Sequence, residues 1–237
     1  MSARSRRRLA ALATRFALPE TAPPALEALL GLLASDPTAP TKLTDPATAV
    51  DAHVADALVA LELDAVRRAR RIADLGSGAG FPGLVLAAAL PDAQVALVES
   101  SARKCAFLTR AASAMGLTNA VAVPQRAESW EEGRGRCDLV TARAVAPLNV
   151  LVEYAAPLLV DGGALVVWKG RRDAAEEADG DAAAAATGLG PAEVRAVRPW
   201  DGAEHLHLHL YMKVGLTPNR YPRRPGMASK RPLRAST

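Results

Sequence analysis

The ten residues Asp74-Leu75-Gly76-Ser77-Gly78-Ala79-Gly80-Phe81-Pro82-Gly83 decide the fold class of this chain. They follow a short apolar run and lead into an apolar stretch of helical character. Glycines let a chain turn sharply and let a ligand approach the backbone, and the free amides at the start of a helix can receive a carboxylate or a phosphate. The segment therefore predicts a strand, a ligand-binding loop and a helix in succession.

Short apolar runs alternate with helical stretches after this loop. The expected strands cover residues 72–75, 95–99, 121–124, 138–142, 164–169, 194–198 and 206–214. The expected helices cover residues 82–90, 101–115, 146–159 and 173–187. This alternation predicts an α/β fold with a mostly parallel sheet that is covered on both faces. The last two strands have no helix between them, so they should pair antiparallel at one edge.

The sequence before the loop is helical in character. Residues 9–35 place apolar side chains at steps of three and four, which predicts two helical pieces. Asp45 is expected to cap a further helix over residues 46–63. His53 and Asp56 lie three residues apart on that helix and therefore share a face.

The 237-residue chain has a net charge of +4 that is unevenly distributed. Residues 1–8 carry four arginines and residues 213–237 carry seven basic residues, both without an acid, whereas the stretch between holds 18 basic and 25 acidic residues. An acidic body with basic ends indicates a polyanion bound at the periphery. Two distant cysteines exclude a disulfide framework, and no apolar run reaches membrane-spanning length, so we expect a cytoplasmic protein without membrane contact.

Two kinds of cofactor fit the glycine-rich loop. A frame that starts at Gly78 satisfies the dinucleotide fingerprint, but it begins three residues beyond the strand that its first glycine should close. A frame that starts at Gly76, with Asp74 before it, suits S-adenosylmethionine, which carries an ammonium and a sulfonium and no pyrophosphate. Glu99, at the end of the next strand, can accept both hydroxyls of a ribose. A methyl donor is favoured, and a dinucleotide or a tight turn without ligand are the alternatives that the residues leave open.

Seven short stretches of the chain carry a family resemblance. They are His-Val-Ala-Asp at 53–56, the loop at 74–83, Glu-Ser-Ser-Ala-Arg-Lys at 99–104, Gln-Arg-Ala-Glu at 125–128, Ala-Arg-Ala-Val-Ala at 142–146, Trp-Lys-Gly at 168–170 and Tyr-Pro-Arg-Arg-Pro-Gly at 221–226. In this order they resemble the glucose-inhibited division protein B family, bacterial methyltransferases that modify N7 of one guanine in small-subunit ribosomal RNA. The first eight residues have no counterpart in that pattern.

The resemblance implies a Rossmann-like, seven-stranded class I fold of S-adenosylmethionine-dependent methyltransferases behind an N-terminal helical cap. We therefore expect a basic extension and helical cap at 1–66, a methyltransferase domain at 67–215 and a basic C-terminal arm at 216–237. The implied substrate is 16S ribosomal RNA, within the small ribosomal subunit or its precursor. No obligate protein partner and no metal are implied.

The resemblance also implies roles for single residues. Gly76 and Phe81 should contact the donor, and Ala127 and Glu128 should flank its adenine. Together with the loop and ribose residues, the expected donor site consists of Asp74, Gly76, Gly78, Gly80, Phe81, Glu99, Ala127, Glu128 and Arg143. The expected RNA contacts are Lys169, Arg223, Arg224, Lys230 and Arg231, the last four on an extended basic arm.

Arg143 is the candidate catalytic residue. It is expected to hold the guanine O6 edge, a phosphate or the donor carboxylate, with a structural ion pair as the alternative. Because guanine N7 carries an in-plane lone pair and loses no proton, the transfer should be direct and in-line and need no general base, with placement as the main contribution. His205, His207 and His209 share one strand face, lack an acidic partner at matching spacing, and are expected to face solvent.

Two other functions remain compatible with the residues. A dinucleotide-dependent oxidoreductase would use the same loop for a pyrophosphate. A ribosome-assembly factor would bind the donor and the particle without turnover.

Overall fold

The computed structural model describes residues 1–235, which are built around a seven-stranded sheet. The strands are β1 (Arg71–Leu75), β2 (Gln94–Val98), β3 (Ala120–Val123), β4 (Cys137–Arg143), β5 (Leu159–Lys169), β6 (Glu193–Val197) and β7 (Leu206–Met212). They lie in the order β3-β2-β1-β4-β5-β7-β6, with β1 to β5 parallel and β7 antiparallel to both neighbours. The predicted parallel sheet with an antiparallel pair at one edge is confirmed.

Ten α-helices surround the sheet in the described part of the chain. They are α1 (Ala3–Phe16), α2 (Ala22–Ser35), α3 (Pro46–Ala49), α4 (Asp56–Leu58), α5 (Asp64–Arg67), α6 (Gly83–Ala89), α7 (Ala102–Ala114), α8 (Leu148–Ala155), α9 (Ala174–Thr187) and α10 (Met227–Lys230). Among these residues no helix combines the length and the apolar character needed to cross a bilayer.

The helix predicted over residues 46–63 is broken. Asp45 does cap it, because its carboxylate accepts the amide of Thr48 at 3.0 Å. A π-helical turn, Val50–Ala55, then separates α3 from α4. Side chains outside the helix bond to carbonyls along this stretch: Arg143 donates to the backbone oxygen of Ala52 at 3.4 Å, and the indole N–H of Trp168 donates to that of Asp56 at 2.8 Å.

The core lies in two layers, one on each face of the sheet. Helices α1, α2, α6 and α7 and the broken helix bury their apolar sides in one continuous cluster with side chains of the sheet such as Ile72 and Leu139. Helices α8 and α9 cover the opposite face, where Val140 and Tyr211 are buried. Each fully buried leucine in these layers contributes about 1.5–3 kcal/mol relative to an exposed one. The N-terminal helices therefore share a core with the sheet.

The arginine-rich start of the chain forms the first turns of α1. Ser2 caps this helix by accepting the amide of Ser5 at 3.2 Å. Arg6 pairs with Glu27 of α2, and Arg8 pairs with Asp51 of the π-helical turn, both at 2.7 Å. These two ion pairs hold α1 against α2 and the π-helical turn.

The C-terminal residues do not form the extended arm that we expected from their prolines and arginines. They fold back over α8, where the side-chain amide of Asn149 donates to the backbone oxygen of Leu233 at 2.6 Å. Tyr221 and Ala228 are buried against the fold. The prediction of an extended arm is wrong over the described residues, and the last two of its residues, 236 and 237, lie outside them.

Candidate active site

The glycine-rich loop follows β1 at the carboxyl edge of the sheet, where the strand order reverses between β1 and β4. Asp74 anchors this loop from below. Its carboxylate is fully buried and accepts the hydroxyl of Thr141 at 2.8 Å and the amide of Gly83 at 3.2 Å. Burial raises the pKa of Asp74 to about 6. The carboxylate of Asp74 is therefore enclosed by the loop that it holds, and its direct contact with the donor stays a prediction.

A cleft of about 380 Å³ opens above the carboxyl ends of β1 and β2. Its walls include Gly76, Glu99, Ala127, Glu128, Tyr154 and Ser229. The first four are residues that the sequence assigned to the donor site. Tyr154 and Ser229 were not predicted, since they reach the cleft from α8 and from the returning C-terminal residues. The cleft lies where open α/β sheets bind their ligands.

Gly78 and Gly80 shape the loop and do not line the cleft. The amide of Gly78 donates to the carboxylate of Glu99 at 3.3 Å. Gly80 packs so closely on Leu84 that an added Cβ would lie 2.3 Å from its side chain. The donor contacts expected of both glycines stay predictions.

Glu99 presents a partly engaged carboxylate to the cleft. One oxygen accepts the amide of Ser101 at 2.9 Å, and the other lies 3.6 Å from the ammonium of Lys104. A carboxylate offers about four acceptor positions, so Glu99 retains capacity for ligand hydroxyls beside these partners. The geometry fits the ribose-binding role that its position predicted.

A second cavity, of about 280 Å³, lies beside the cleft and shares Ala144 as a wall. Arg143 lines this cavity and not the cleft. Its guanidinium pairs with Asp56 at 2.7 Å and meets Nδ1 of His53 at 3.3 Å. The structure therefore places Arg143 at the neighbouring cavity, and its contact with the donor stays a prediction.

Phe81 supports the Arg143 cluster from within the fold. Its ring stacks on His53 with centroids 4.4 Å apart, and the guanidinium carbon of Arg143 lies 5.4 Å from the ring centroid. Phe81 is not among the residues that line the cleft, and its contact with the donor stays a prediction. The ring instead joins the glycine-rich loop to the π-helical turn.

The charge states of this cluster follow from its burial. Burial raises the pKa of Asp56, and the charge and hydrogen bond of Arg143 oppose that rise. Burial and, secondarily, the charge of Arg143 lower the pKa of His53 from 6.5 to about 4. His53 is therefore neutral at pH 7. Its Nδ1 accepts from Arg143, which assigns the ring proton to Nε2, 3.3 Å from the hydroxyl of Thr41.

The lowered pKa of His53 predicts a loss of stability in acid. Between pH 6.5 and 4 the unfolded chain binds a proton at His53 that the folded chain does not, so the free energy of unfolding falls as the pH drops through this window. We expect His53→Gln to remove about 1–2 kcal/mol of that fall, since each pH unit is worth at most about 1.4 kcal/mol per proton. Urea unfolding at pH 7 and pH 4.5 measures the difference, and parallel pH dependences of the two proteins would contradict it.

Lys169 lines the same cavity as Arg143 and is also paired. Its ammonium lies 2.6 Å from a carboxylate oxygen of Glu176 in α9. This carboxylate offsets the charge of Lys169, and the phosphate contact expected of Lys169 stays a prediction. Both cations of this cavity are thus matched by a carboxylate.

The predicted RNA contacts at the C-terminus divide into two groups. Arg224, Lys230 and Arg231 are exposed and remain available for phosphate. Arg223 is half-buried and bonded to Glu153 of α8, with Nη2 to Oε2 at 2.5 Å. The guanidinium of Arg223 thus neutralises a carboxylate that is only 1 % exposed, and the structure gives it a role within the fold.

The histidines of β7 do not all face solvent. His209 is buried and its Nε2 lies 3.2 Å from a carboxylate oxygen of Glu177 in α9. The expectation failed because β7 lies between β5 and β6 and α9 packs on this face of the sheet. His207 is partly exposed, with Nδ1 2.9 Å from the backbone oxygen of Gly170.

The chain is similar to a known protein family over most of its length. A family model described as rRNA small subunit methyltransferase G matches residues 38–206. A protein of that name from Rubrobacter xylanophilus is 40% identical over 196 residues, covering 80% of this chain and 75% of its own. Another, from Desulfitobacterium hafniense, is 39% identical over 199 residues, with 81% of each chain covered.

Solved structures agree on the fold. One described as a predicted O-methyltransferase from Agrobacterium tumefaciens superposes with a TM-score of 0.53 at 26% identity, covering 70% of this chain and 81% of its own. A SAM-dependent O-methyltransferase from Thermotoga maritima superposes with a TM-score of 0.55 at 17% identity, covering 69% and 66%. The sheet is therefore that of the Rossmann-like class I methyltransferases.

Proposed function

The chain belongs to the rRNA small subunit methyltransferase G family, and on that premise we propose that it transfers a methyl group from S-adenosylmethionine to N7 of one guanine in 16S ribosomal RNA. The observation that carries this proposal is the meeting of the two cavities. The cleft with Gly76 and Glu99 and the cavity with Arg143 share the wall at Ala144, at the carboxyl edge of the sheet. A methyl donor in the cleft and a guanine in the cavity would meet at this wall.

The residues of the cleft fit the proposed donor. Glu99 offers carboxylate oxygens to the ribose hydroxyls, and Ala127 and Glu128 form the wall proposed for the adenine. Gly76 leaves room for close approach to the backbone at the end of β1. S-adenosylmethionine supplies, when bound, an electrophilic methyl group on a sulfonium. The protein contributes orientation at this edge.

The charges of the second cavity fit a base that becomes positive. Methylation at N7 leaves a cationic guanine, so an unpaired cation beside the ring would oppose the reaction. Here Arg143 is paired with Asp56 at 2.7 Å and Lys169 with Glu176 at 2.6 Å. The cavity therefore offers hydrogen-bond donors with little net positive charge, and we assign Arg143 to hold the acceptor edge or backbone of the target nucleotide.

Proton transfer plays no part in the proposed reaction. Guanine N7 loses no proton on methylation, and His53, the base nearest to Arg143, directs Nδ1 at the guanidinium. His53 therefore orients Arg143 and does not act on the substrate. The rate depends on how well the residues of the two cavities place their ligands.

The basic surface supports a folded RNA as the partner. Arg224, Lys230 and Arg231 are exposed near the C-terminus, close in sequence to the cleft residue Ser229. Phosphate contacts position an RNA without reading its sequence, so the choice of guanine depends on the shape of the RNA and on an unpaired base. We propose the small ribosomal subunit or its precursor as the particle that presents this shape.

The proposal is tested with labelled S-adenosylmethionine and small ribosomal subunits from cells that lack this protein. We expect one guanine of 16S RNA to gain a methyl group at N7, as mapped by mass spectrometry of RNA fragments. Methyl transfer only to N1 or N2 of guanine, or only to protein, would contradict it. Binding of NAD without binding of S-adenosylmethionine in calorimetry would favour an oxidoreductase, and tight particle binding without transfer would favour an assembly factor.

A further inference from the structure

The C-terminal clasp, residues 221–233, returns across α8 to the mouth of the donor cleft. Tyr221 is 6 % exposed and Ala228 is 1 % exposed, so the clasp is packed into the fold at two points. Its end is held where the side-chain amide of Asn149 donates to the backbone oxygen of Leu233. The clasp therefore has a defined place beside α8.

Arg223 anchors the clasp to a buried carboxylate. Glu153 accepts the backbone amide of Arg223 at 3.0 Å, its Nε at 2.9 Å and its Nη2 at 2.5 Å. This two-oxygen pairing is the geometry in which arginine and carboxylate bind most strongly. Because Glu153 is only 1 % exposed, loss of the guanidinium would leave a buried charge without a partner.

Two further contacts join the clasp to the cleft itself. The amide of Gly226 donates to Oε1 of Glu128 at 3.1 Å, and the hydroxyls of Tyr154 and Ser229 lie 3.3 Å apart. Glu128, Tyr154 and Ser229 all line the cleft. Tyr154 directly follows Glu153 in α8, so the anchor and the cleft wall are adjacent on one helix.

We infer that the clasp completes the donor site and that Arg223 is a positioning residue for donor binding. This inference rests on the proposed function, which supplies S-adenosylmethionine as the ligand of the cleft. The pair Arg223–Glu153 holds the clasp so that Gly226 orients Glu128 and Ser229 closes the outer wall. Two neighbouring arginines thereby have different tasks: Arg223 faces the fold, and Arg224 faces solvent, outside any ion pair found among residues 1–235.

The neighbouring arginines provide a matched pair of variants. We expect Arg223→Ala to weaken binding of S-adenosylmethionine about tenfold or more, as measured by calorimetry, since a lost charged pair commonly costs at least one decade. Its affinity for small ribosomal subunits should keep the wild-type dependence on salt. Arg224→Ala should bind the donor as the wild type does and lower the salt slope of RNA binding by about one.

Ser229→Trp tests the wall without disturbing the buried pair. Position 229 is exposed, so a large ring there should leave the melting temperature unchanged and weaken donor binding by narrowing the cleft mouth. In the wild type, hydrogen exchange at the amides of 223–230 should slow when the donor binds. If Arg223→Ala fails to fold, the donor affinity of Ser229→Trp and the hydrogen exchange of the wild type test the inference.

The outcomes separate the inference from the function on which it rests. If the wild type does not bind S-adenosylmethionine, the proposed function fails and the inference fails with it. If the wild type binds it and both Arg223→Ala and Ser229→Trp bind equally well, only the inference is overturned. Equal losses of donor affinity in Arg223→Ala and Arg224→Ala would also overturn it, because they would indicate a general effect of charge.

Discussion

Replacing Gly76 with valine is expected to lower the affinity for S-adenosylmethionine at least about 100-fold, a loss of about 2.7 kcal/mol. Gly76 has φ +66°, and a Cβ added there would lie 2.6 Å from Cγ2 of Val145. Val145 belongs to the loop between β4 and α8, which walls both the cleft and the neighbouring cavity. A larger side chain at position 76 must therefore displace this loop from the place where donor and base would meet. Calorimetric titration of the purified variant measures the effect.

Gly116→Val is the matched control for the backbone. Gly116 has φ +68° at the end of α7, and an added Cβ there would meet nothing within 4 Å. Both variants carry the left-handed strain of about 1–2 kcal/mol, but only the change at Gly76 brings a side chain against Val145. Donor binding should survive in Gly116→Val. Comparable losses of donor affinity in the two variants would show that backbone strain, and not displacement of the loop at Val145, explains the effect.

The strands and the loop were predictable because their signals are local. Short apolar runs between turn residues mark β1 to β5, most of whose residues outside the edge strand β3 are buried. The glycines after β1 mark the sharp turn that a ligand-binding loop of this fold requires. Gly76, Glu99, Ala127 and Glu128 could be assigned to one cleft because the carboxyl ends of parallel strands meet at one edge.

The direction of single side chains was less predictable. Asp74 precedes the loop and was expected to face the ligand, but the hydroxyl of Thr141, 67 residues away on β4, draws its carboxylate inward. Phe81 lies within the loop, yet it faces His53 on the other side. Both outcomes depend on partners that no spacing within the segment indicates.

The packing of the clasp against α8 could have been anticipated in part from the sequence. Prolines and arginines at 222–232 are typical of an extended basic arm, and that composition favoured RNA contact for all of its charges. The missed signal is Glu153, the one charged residue in the largely apolar α8, because a carboxylate carried into a core requires a cation. A search for that cation would have pointed to a basic residue elsewhere in the chain, though not to Arg223 in particular.

Arg143→Ala is expected to lower methyl transfer to small ribosomal subunits about 100-fold to 1,000-fold, since misplacement of a reacting group by about 1 Å alone can cost 100-fold. The guanidinium lines the cavity proposed for the target nucleotide and is held there by Asp56, His53 and Phe81. Its removal takes away the hydrogen-bond donor that would fix the nucleotide. It also leaves the buried carboxylate of Asp56 without its partner. Single-turnover transfer from labelled S-adenosylmethionine measures the change.

The companion measurement is the affinity for S-adenosylmethionine, which should stay within about threefold of the wild type, a difference of about 0.7 kcal/mol. Arg143 does not line the donor cleft, so a selective loss of transfer locates its role at the nucleotide. Asp56→Asn is the control for position: it keeps an acceptor for Arg143 and should reduce transfer less than Arg143→Ala does. If Arg143→Ala transfers the methyl group as fast as the wild type, the Arg143–Asp56 pair only stabilises the fold. An equal loss of affinity for S-adenosylmethionine would instead indicate that Arg143 contacts the methyl donor.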